Sequence, residues 1–507
     1  MTTQESPVND AQRRWIVAAT FLFAILLYAL TCSPGVLWQD SGMFQFRVWH
    51  GDLAGDLGLP LAHPLYILLA KAFTVLPFGP FAYRVNLFSA VCGAACLAVT
   101  MDLLLSLTRC RIAAVGGTIL LAVSHTFWTH AVIAEVYELY ALTLVAELWL
   151  LNRYFRRFEF HWLAIALLVN GLSTANHLFA ILHLPAYAGI ILWGLRARRI
   201  RPGRLWLPAL AWIIGTLPYT VLVASNIVDG QPLCGALKEA LVGPPNRARH
   251  VLAHTFPFAR QAGHAVQYFA MNFPTPLALL APVGLWSAWR RPQTRWFAVV
   301  AGTIFVIAFV FAFRYLVPDQ YVFFIPCYVL FALFVGLAIP RLLGQSAARR
   351  TLCLMLAVLP VAVYEFAPRL LKDRQTSIGV KRHIPPRDSY VYFIRPRKNG
   401  EDSASRFARA ALEQAAPDGL LIADTTIKNA LAVVRDVERT HQSVALTTGG
   451  DITPAQPMIP LSPDAVRPFV ERGTAYVCSE SEHYVPEWIR EKYDLVPAGV
   501  VFRLEER

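Results

Sequence analysis

Pro34-Gly35-Val36-Leu37-Trp38-Gln39-Asp40-Ser41-Gly42 follows directly on an apolar run, Trp15 to Thr31, that is long enough to cross a bilayer as a helix. A carboxylate is thus set where a spanning helix leaves the membrane, beside a turn-forming Ser-Gly pair. Taken alone, Asp40 reads as the cap of a short interfacial helix. The rest of the chain changes that reading, because further polar residues fall at the same membrane face.

Of the 507 residues, 56% are hydrophobic and 16% charged, and the mean hydropathy is +0.45. A soluble chain carries about a quarter charged residues, so the composition is that of an integral membrane protein. The net charge of +13 does not mark a nucleic-acid binder, since the basic residues lie between apolar segments. The first apolar segment lacks a small-residue cleavage site and is followed by others, which argues against a cleaved signal. Cys92, Cys96, Cys327 and Cys353 fall within apolar segments, and only Cys234 and Cys478 lie in segments placed outside, where a disulfide between them is not expected. No CxxC or Cys/His spacing suggests a metal, and none is expected.

Working outward, spans are predicted near 15–32, 81–107, 112–130, 134–152, 160–176, 178–195, 205–224, 270–289, 296–313, 320–340 and 351–367, about eleven by the length rule. His63 to Phe78 is short and Pro-bounded, and reads as an interfacial or re-entrant helix. The connections alternate in charge. One side holds Arg13 and Arg14, Arg109 and Arg111, Arg153, Arg156 and Arg157, the five arginines of 196–204, Arg290, Arg291 and Arg295, and Arg341, Arg349 and Arg350. The other side holds almost none in its short loops, Arg47 being the main exception, while a long loop at about 225–268 is a poor orientation signal. By the positive-inside rule the basic side is cytoplasmic.

Asp40, His63, His130, Glu135, Asn176, His177 and Asp319 then all fall at the outer ends of spans or in outer loops. Singly, each is easily solvated at a helix end; their convergence on one face points to a polar cavity. Asp102 and Glu147 fall toward inner ends, where nearby arginines are the expected structural partners. Residues 1–370 are predicted as the transmembrane domain, with its first outer loop at 33–63. Residues 371–507 form an extracytoplasmic α/β domain in which 389–393, 419–423 and 475–477 read as strands, and 405–416 and 427–440 as helices. No dinucleotide or Walker loop occurs in the strand–turn–helix context it needs, and no internal repeat suggests an inverted-repeat transporter.

Inverting glycosyl transfer needs a base for the acceptor hydroxyl and a hydrogen-bonding or cationic cradle for the leaving phosphate. Asp40 suits the base; Arg47, His63, Arg84 and His177 are candidates for the cradle. With no nucleotide site, a donor reaching an outward cavity through the bilayer would be a polyprenyl-phosphate sugar.

The chain resembles the bacterial relatives of the transmembrane protein O-mannosyltransferases, within the GT-C superfamily. The blocks that carry the resemblance are Pro34-Gly35 with Trp38-Gln39-Asp40-Ser41-Gly42, Ala62-His63-Pro64-Leu65-Tyr66, Leu76-Pro77-Phe78-Gly79 and Arg84-Val85-Asn86-Leu87-Phe88-Ser89-Ala90. They continue with Phe127-Trp128, Glu135-Val136-Tyr137, Gly171-Leu172-Ser173, Asn176-His177, Asp319-Gln320-Tyr321 and Ile325-Pro326, spanning about residues 30–340. The resemblance implies that Asp40 is the catalytic carboxylate, a donor such as polyprenyl-phosphate mannose, and no strict metal requirement; no cofactor is expected. It raises Arg84, Glu135, Tyr137, Asn176, His177 and Asp319 as substrate-binding residues. Relatives usually read Asp-Ser-Gly-Glu, where this chain has Met43, and a longer His-Pro-Pro-Gly-Tyr-Pro, shortened here to His63-Pro64-Leu65-Tyr66.

The sequence therefore predicts a GT-C-type α-helical multi-pass protein, in a bacterial inner membrane, whose outer face transfers a sugar to the hydroxyl of a protein, glycan or lipid. The competing reading is a transporter or flippase of lipid-linked sugar that breaks no bond. A receptor-like scaffold that has lost catalysis, with Met43 as its mark, is a third.

Overall fold

The computed structural model describes residues 9–243, 256–343, 346–378, 384, 386–448, 461–482 and 484–507, so part of the long outer loop expected at 225–268 lies outside the described residues. Among the described residues, seven helices are long and apolar enough to cross a membrane, including Asp10–Thr31, Phe81–Thr108, Pro292–Arg314 and Ala347–Asp373. Counting each of two bent helix pairs as one span gives nine. The expected eleven is not reached by length and composition, for identifiable reasons. Tyr137–Arg157 carries two glutamates and three arginines, and Phe160–Asn176 is only 17 residues long. The other difference is geometric. The segment predicted at 112–130 turns by 68° between Ala122 and His125, and that predicted at 270–289 is the second arm of a pair bent by 116°.

The two breaks support each other: the Asn272 side chain accepts from the Thr126 backbone N–H at 2.8 Å, satisfying a donor that the first break exposes. The bend lays His125–Ala131 across the end of the bundle and carries His125 and His130 to one face of it. In the centre, Gln320–Leu342 is almost wholly enclosed by its neighbours, whereas Asp10–Thr31 is packed along one side and exposes Leu22, Phe23, Leu26 and Leu30. Helices Phe160–Asn176 and Trp206–Val228 meet at Gly171 and Gly215. A Cβ on Gly171 would stand 2.3 Å from the Trp212 carbonyl oxygen, and one on Gly215 2.4 Å from that of Leu168.

Glu147 does not pair with an arginine. Its Oε2 accepts from Tyr187 Oη at 3.0 Å and Asn170 Nδ2 at 3.2 Å and lies 3.1 Å from His183 Nδ1, a buried network joining three helices. Asp102 does pair with Arg13.

Beyond Asp373 the chain forms a five-stranded sheet of order β2-β1-β3-β5-β4. Strands β1 (Leu420–Ala423), β2 (Ala445–Thr448) and β3 (Ala475–Val477) are parallel, and the hairpin of β4 (Tyr493–Ala498) and β5 (Val501–Glu506) adds antiparallel to β3. Alternate residues of β1 serve two cores. Leu421 and Ala423 pack on helices Ser403–Gln414 and Lys428–Glu438, while Leu420 and Ile422 pack on the opposite face with Val466 and Ile489. The first of these cores takes in Val36, Trp38, Phe46 and Ala82, so the sheet domain is seated on the first loop of the membrane part. Residues 389–393, expected as a strand, are helical. Asp388 accepts from the Val391 N–H at 3.2 Å and caps Ser389–Ile394, a local bond that outweighs the β-propensity of Tyr-Val-Tyr-Phe. All eight cysteines are free.

Candidate functional site

The stretch 33–42 is not an open loop: from Gln39 it is the first turn of helix Gln39–His50. Four side-chain hydrogen bonds fix the approach to it. Gln45 accepts from the Leu37 N–H at 3.1 Å, its amide donates to Asn86 Oδ1 at 2.8 Å, and Asn86 donates in turn to the carbonyls of Ser33 and Gly35 at 3.0 and 3.1 Å. Trp38 donates from Nε1 to Ser403 Oγ at 2.8 Å, and the Gln39 N–H donates to the Thr426 carbonyl at 3.0 Å, which ties the turn to the sheet domain. Gly42 has no room for a Cβ, which would lie 2.4 Å from the Leu37 carbonyl oxygen. Asp40 is therefore presented on a rigid first turn, at the positive end of the helix dipole. Gln39 itself is held at φ +52°, a left-handed conformation uncommon for a side chain with a Cβ. His63 shares it, at φ +51°, immediately before Pro64.

Asp40 lies at the junction of two lobes of one cleft, each about 270 Å³. Gln39, Asp40, Glu135, Tyr137 and Asp319 line both. The first lobe adds Met43, His63, Asp56 and Lys428, and shares Leu57, Leu61, Tyr315 and Phe323 with an apolar groove of about 210 Å³ that runs past His177, Leu178 and Phe179. The second lobe is polar and aromatic, with His125, His130, Tyr321, Tyr392 and Lys398. A single path thus leads from a greasy groove, past three carboxylates, to a polar chamber roofed by the sheet domain.

Glu135 is fixed from both ends. Ser41 Oγ donates to its Oε1 at 3.1 Å, and its backbone N–H donates to Ser89 Oγ at 3.1 Å. Burial, and then the charge of Asp40, push its carboxyl well above the ordinary range, toward the protonated form. Burial also raises Asp319, which precedes a short helical turn tied down by Gln320, whose amide donates to the Ala312 carbonyl at 2.8 Å. Both shifts are in the direction that favours the protonated form. No group of three or more His, Cys, Asp or Glu side chains poised to hold a metal ion occurs among the described residues.

Of the residues singled out in the sequence, Asp40, His63, Glu135, Tyr137 and Asp319 line the two lobes and His177 lines the groove. Asn176 lies behind them, its carbonyl 2.6 Å from His63 Nδ1 and its amide donating to the Val136 carbonyl at 3.0 Å. Arg47 and Arg84, expected in a phosphate cradle, line none of the three spaces. The Arg47 guanidinium is buried and donates to the carbonyls of Asp52, Leu53, Leu61 and Ala62, where it folds the connection beneath the cleft. Arg84 Nη1 donates to the carbonyls of Thr74 and Leu76, closing the turn after helix Pro64–Phe73. Arg47→Met should leave those four carbonyls without donors and lower stability by about 2–4 kcal/mol, read as a fall in the thermal midpoint of the purified protein.

The cations of the cleft come from elsewhere. Lys398 is buried and donates from Nζ to the Tyr392 and Arg395 carbonyls; Lys428, the first residue of helix Lys428–Glu438, lies 3.3 Å from Asp56 Oδ2. Desolvation lowers both, Lys398 to about 7. Neither has a local signal in the sequence: each is one lysine among ordinary residues of a soluble-looking domain. His125 stands two residues before the quoted Phe127-Trp128, and only the bend in its helix brings it to the cleft.

The chain is a multi-pass integral membrane protein built of a helical bundle and a five-stranded sheet. Its fold matches the crystal structure of ArnT from Cupriavidus metallidurans bound to undecaprenyl phosphate, with a TM-score of 0.60, 14% identity and 98% of each chain covered. In sequence, residues 58–200 match the family described as the Protein O-mannosyl-transferase TMEM260 N-terminal domain. The Mus musculus Protein O-mannosyl-transferase TMEM260 is 28% identical over 219 residues, which is 42% of this chain and 30% of the mouse protein. The chain therefore matches less than a third of that relative's length. The matched family segment contains His63, Glu135, Tyr137, Asn176 and His177, and leaves out Asp40, Asp319 and both lysines.

Proposed function

We propose that this protein is an inverting glycosyltransferase that moves a sugar from a polyprenyl-phosphate donor to an acceptor hydroxyl. The observation that carries the reading is the unbroken path from apolar groove to carboxylate junction. A polyprenyl chain fits the groove, which places its phosphate in the first lobe, near Lys428 and His63. Lys428 opens an eleven-residue helix, so the ammonium is reinforced there by the positive end of the helix dipole. The acceptor fits the second lobe. Asp40, between them, takes the proton of the acceptor hydroxyl as its oxygen attacks the anomeric carbon; the sugar–phosphate bond breaks, and its electron pair leaves on the polyprenyl phosphate. Glu135, holding Ser41 at the next position, keeps Asp40 in place.

Mannose is the first sugar to test and a protein hydroxyl the first acceptor, because the sequence relatives are named for protein O-mannosylation. The fold relative bound to undecaprenyl phosphate supports a donor of that lipid class. Arg13 and Arg153 stand at the end of the bundle opposite the cleft, which supports a cleft on the outer, periplasmic face of a bacterial inner membrane. We take the sheet domain, from about residue 371, to be extracytoplasmic with it. A flippase would use the groove equally well; bond cleavage separates the two. Purified protein incubated with synthetic polyprenyl-phosphate mannose should release mannose to an acceptor-containing envelope extract, and slowly to water. Donor bound without any release would favour transport.

Lys398 gives this site a pH signature. Its ammonium lines the second lobe, where the charge of Glu401 favours it against burial; it is present below about pH 7 and is lost as pH rises through it. Transfer should therefore decline on an alkaline limb near that value. Lys398→Arg, which stays charged, should carry the plateau about two units higher, and Lys398→Met should lower turnover by about tenfold and remove the limb. A pH–rate series on the three proteins checks this.

A further inference from the structure

We infer that the opposite end of the bundle carries a second binding site, which takes the phosphate headgroup of an anionic lipid. Helix Phe81–Thr108 packs against both Asp10–Thr31 and Tyr137–Arg157, and between these flanking helices lies a cavity of about 1060 Å³, far larger than any lobe of the cleft. Its floor is made of small side chains, Ala95, Ala98 and Val99, and Val17 and Phe21 form its apolar flank. The helix bearing that flank exposes Leu22, Phe23 and Leu26, a face suited to acyl chains. The cavity is thus apolar toward mid-bundle and open where lipid would lie.

Its rim is cationic. Five arginines line it against two carboxylates, Asp10 and Asp102, which leaves an excess of three positive charges. The arrangement is held in place. Arg13 Nε and Nη2 donate to the two Asp102 oxygens at 2.5 and 2.8 Å, and Trp149 Nε1 donates to the same carboxylate at 2.6 Å. The Arg153 guanidinium lies 4.0 Å from the centre of the Trp149 ring and 5.0 Å from that of Trp162. Arg156 donates to Ser106 Oγ at 2.9 Å. Arginines that only set orientation need neither a cavity nor fixed positions; here both are present. Guanidinium groups so held match phosphate oxygens, and the floor beside them matches the first methylenes of a chain.

The ligand chemistry is a phosphoryl group on a long hydrocarbon. A bilayer phosphodiester such as phosphatidylglycerol and a polyprenyl phosphate monoester both supply it. The proposal does not depend on the transferase reading, since no residue of the rim reaches the cleft.

The full-length chain in neutral detergent is titrated with phosphatidylglycerol, phosphatidylcholine and undecaprenyl phosphate, and bound lipid is counted by native mass spectrometry. Phosphatidylglycerol or undecaprenyl phosphate should bind about tenfold more tightly than phosphatidylcholine. That preference should fall about tenfold in the double variant Arg14→Gln/Arg157→Gln and stay in Arg290→Gln/Arg291→Gln, which removes two charges from the same face outside the cavity. Whichever anionic lipid loses affinity identifies the source. Ala95→Leu, which fills the floor and keeps every charge, should weaken binding as well. Equal binding of the three lipids, equal loss in both charge variants, or no effect of Ala95→Leu would each overturn the proposal. Displacement of the lipid by millimolar inorganic phosphate would also do so, by making this a free-anion site.

Discussion

Asp40→Asn should retain polyprenyl-phosphate sugar while losing turnover by about 10²–10⁴-fold, the range over which a positioned general base accelerates proton transfer. The substitution keeps the shape of the side chain and removes its negative charge, and with it the ability to take a proton. Because the first turn of helix Gln39–His50 and the approach to it are held by Gln45, Asn86, Ser403 and Thr426, the variant should fold as wild type does. Donor affinity, resting on the groove and the first lobe, should change by less than about threefold, so the loss should appear in kcat and not in KM. Mannose release and equilibrium donor binding, measured on one preparation, check both halves. Release persisting at wild-type rate would remove Asp40 from the chemistry, and a loss of binding equal to the loss of rate would make it a donor ligand. A cleft that only moves lipid would show no release from either protein.

Gly171→Leu and Gly215→Leu should each prevent accumulation of the folded protein. The would-be Cβ atoms lie 2.3 and 2.4 Å from backbone carbonyl oxygens of the facing helix, and a backbone cannot rotate aside as a side chain does. The two helices would have to part along the whole contact, at a cost of several kcal/mol, a large share of the stability of any fold. The loss should reach the site too, because helix Phe160–Asn176 ends in the Asn176 carbonyl that fixes His63. Gly189→Leu supplies the control: nothing lies within 4 Å of its would-be Cβ. A monodisperse peak in size-exclusion chromatography should survive Gly189→Leu and vanish in the other two. Equal tolerance of all three would show that the helices meet more loosely than their glycines imply.

Much of this was legible because its causes are local in the chain. Apolar length marks a spanning helix, and the alternation of arginine between connections marks its direction; neither needs a tertiary contact. Asp40, His63, Glu135, His177 and Asp319 stood out because a polar residue at the end of an apolar run is conspicuous. Tyr137 followed from the resemblance and from its place beside Glu135. Where the reading failed, the cause was long-range or a competition between local rules. Arg47 and Arg84 look like phosphate ligands in sequence, but backbone carbonyls of turns brought near by folding claim them first. Residues 389–393 carry a strand's composition and a helix's cap. Strands β2, β4 and β5 were not picked out, since runs of four to six residues interrupted by polar ones give no clear alternation. Lys398 and Lys428 were invisible because nothing near them in the chain says that they will roof a cavity begun more than 350 residues earlier.

That last separation bears on the order in which the molecule is made. Asp40 leaves the ribosome early and can reach its membrane position while most of the chain is unsynthesised; Lys398 and Lys428 follow only after every spanning helix. A chain broken off during translation anywhere between Asp373 and Ser389 would hold a complete set of membrane helices, the groove and all three carboxylates, yet neither lysine and no roof. Such fragments could take up a lipid-linked sugar without being equipped to transfer it, so a half-made molecule would be inert and would not spend an energy-rich donor on the nearest hydroxyl.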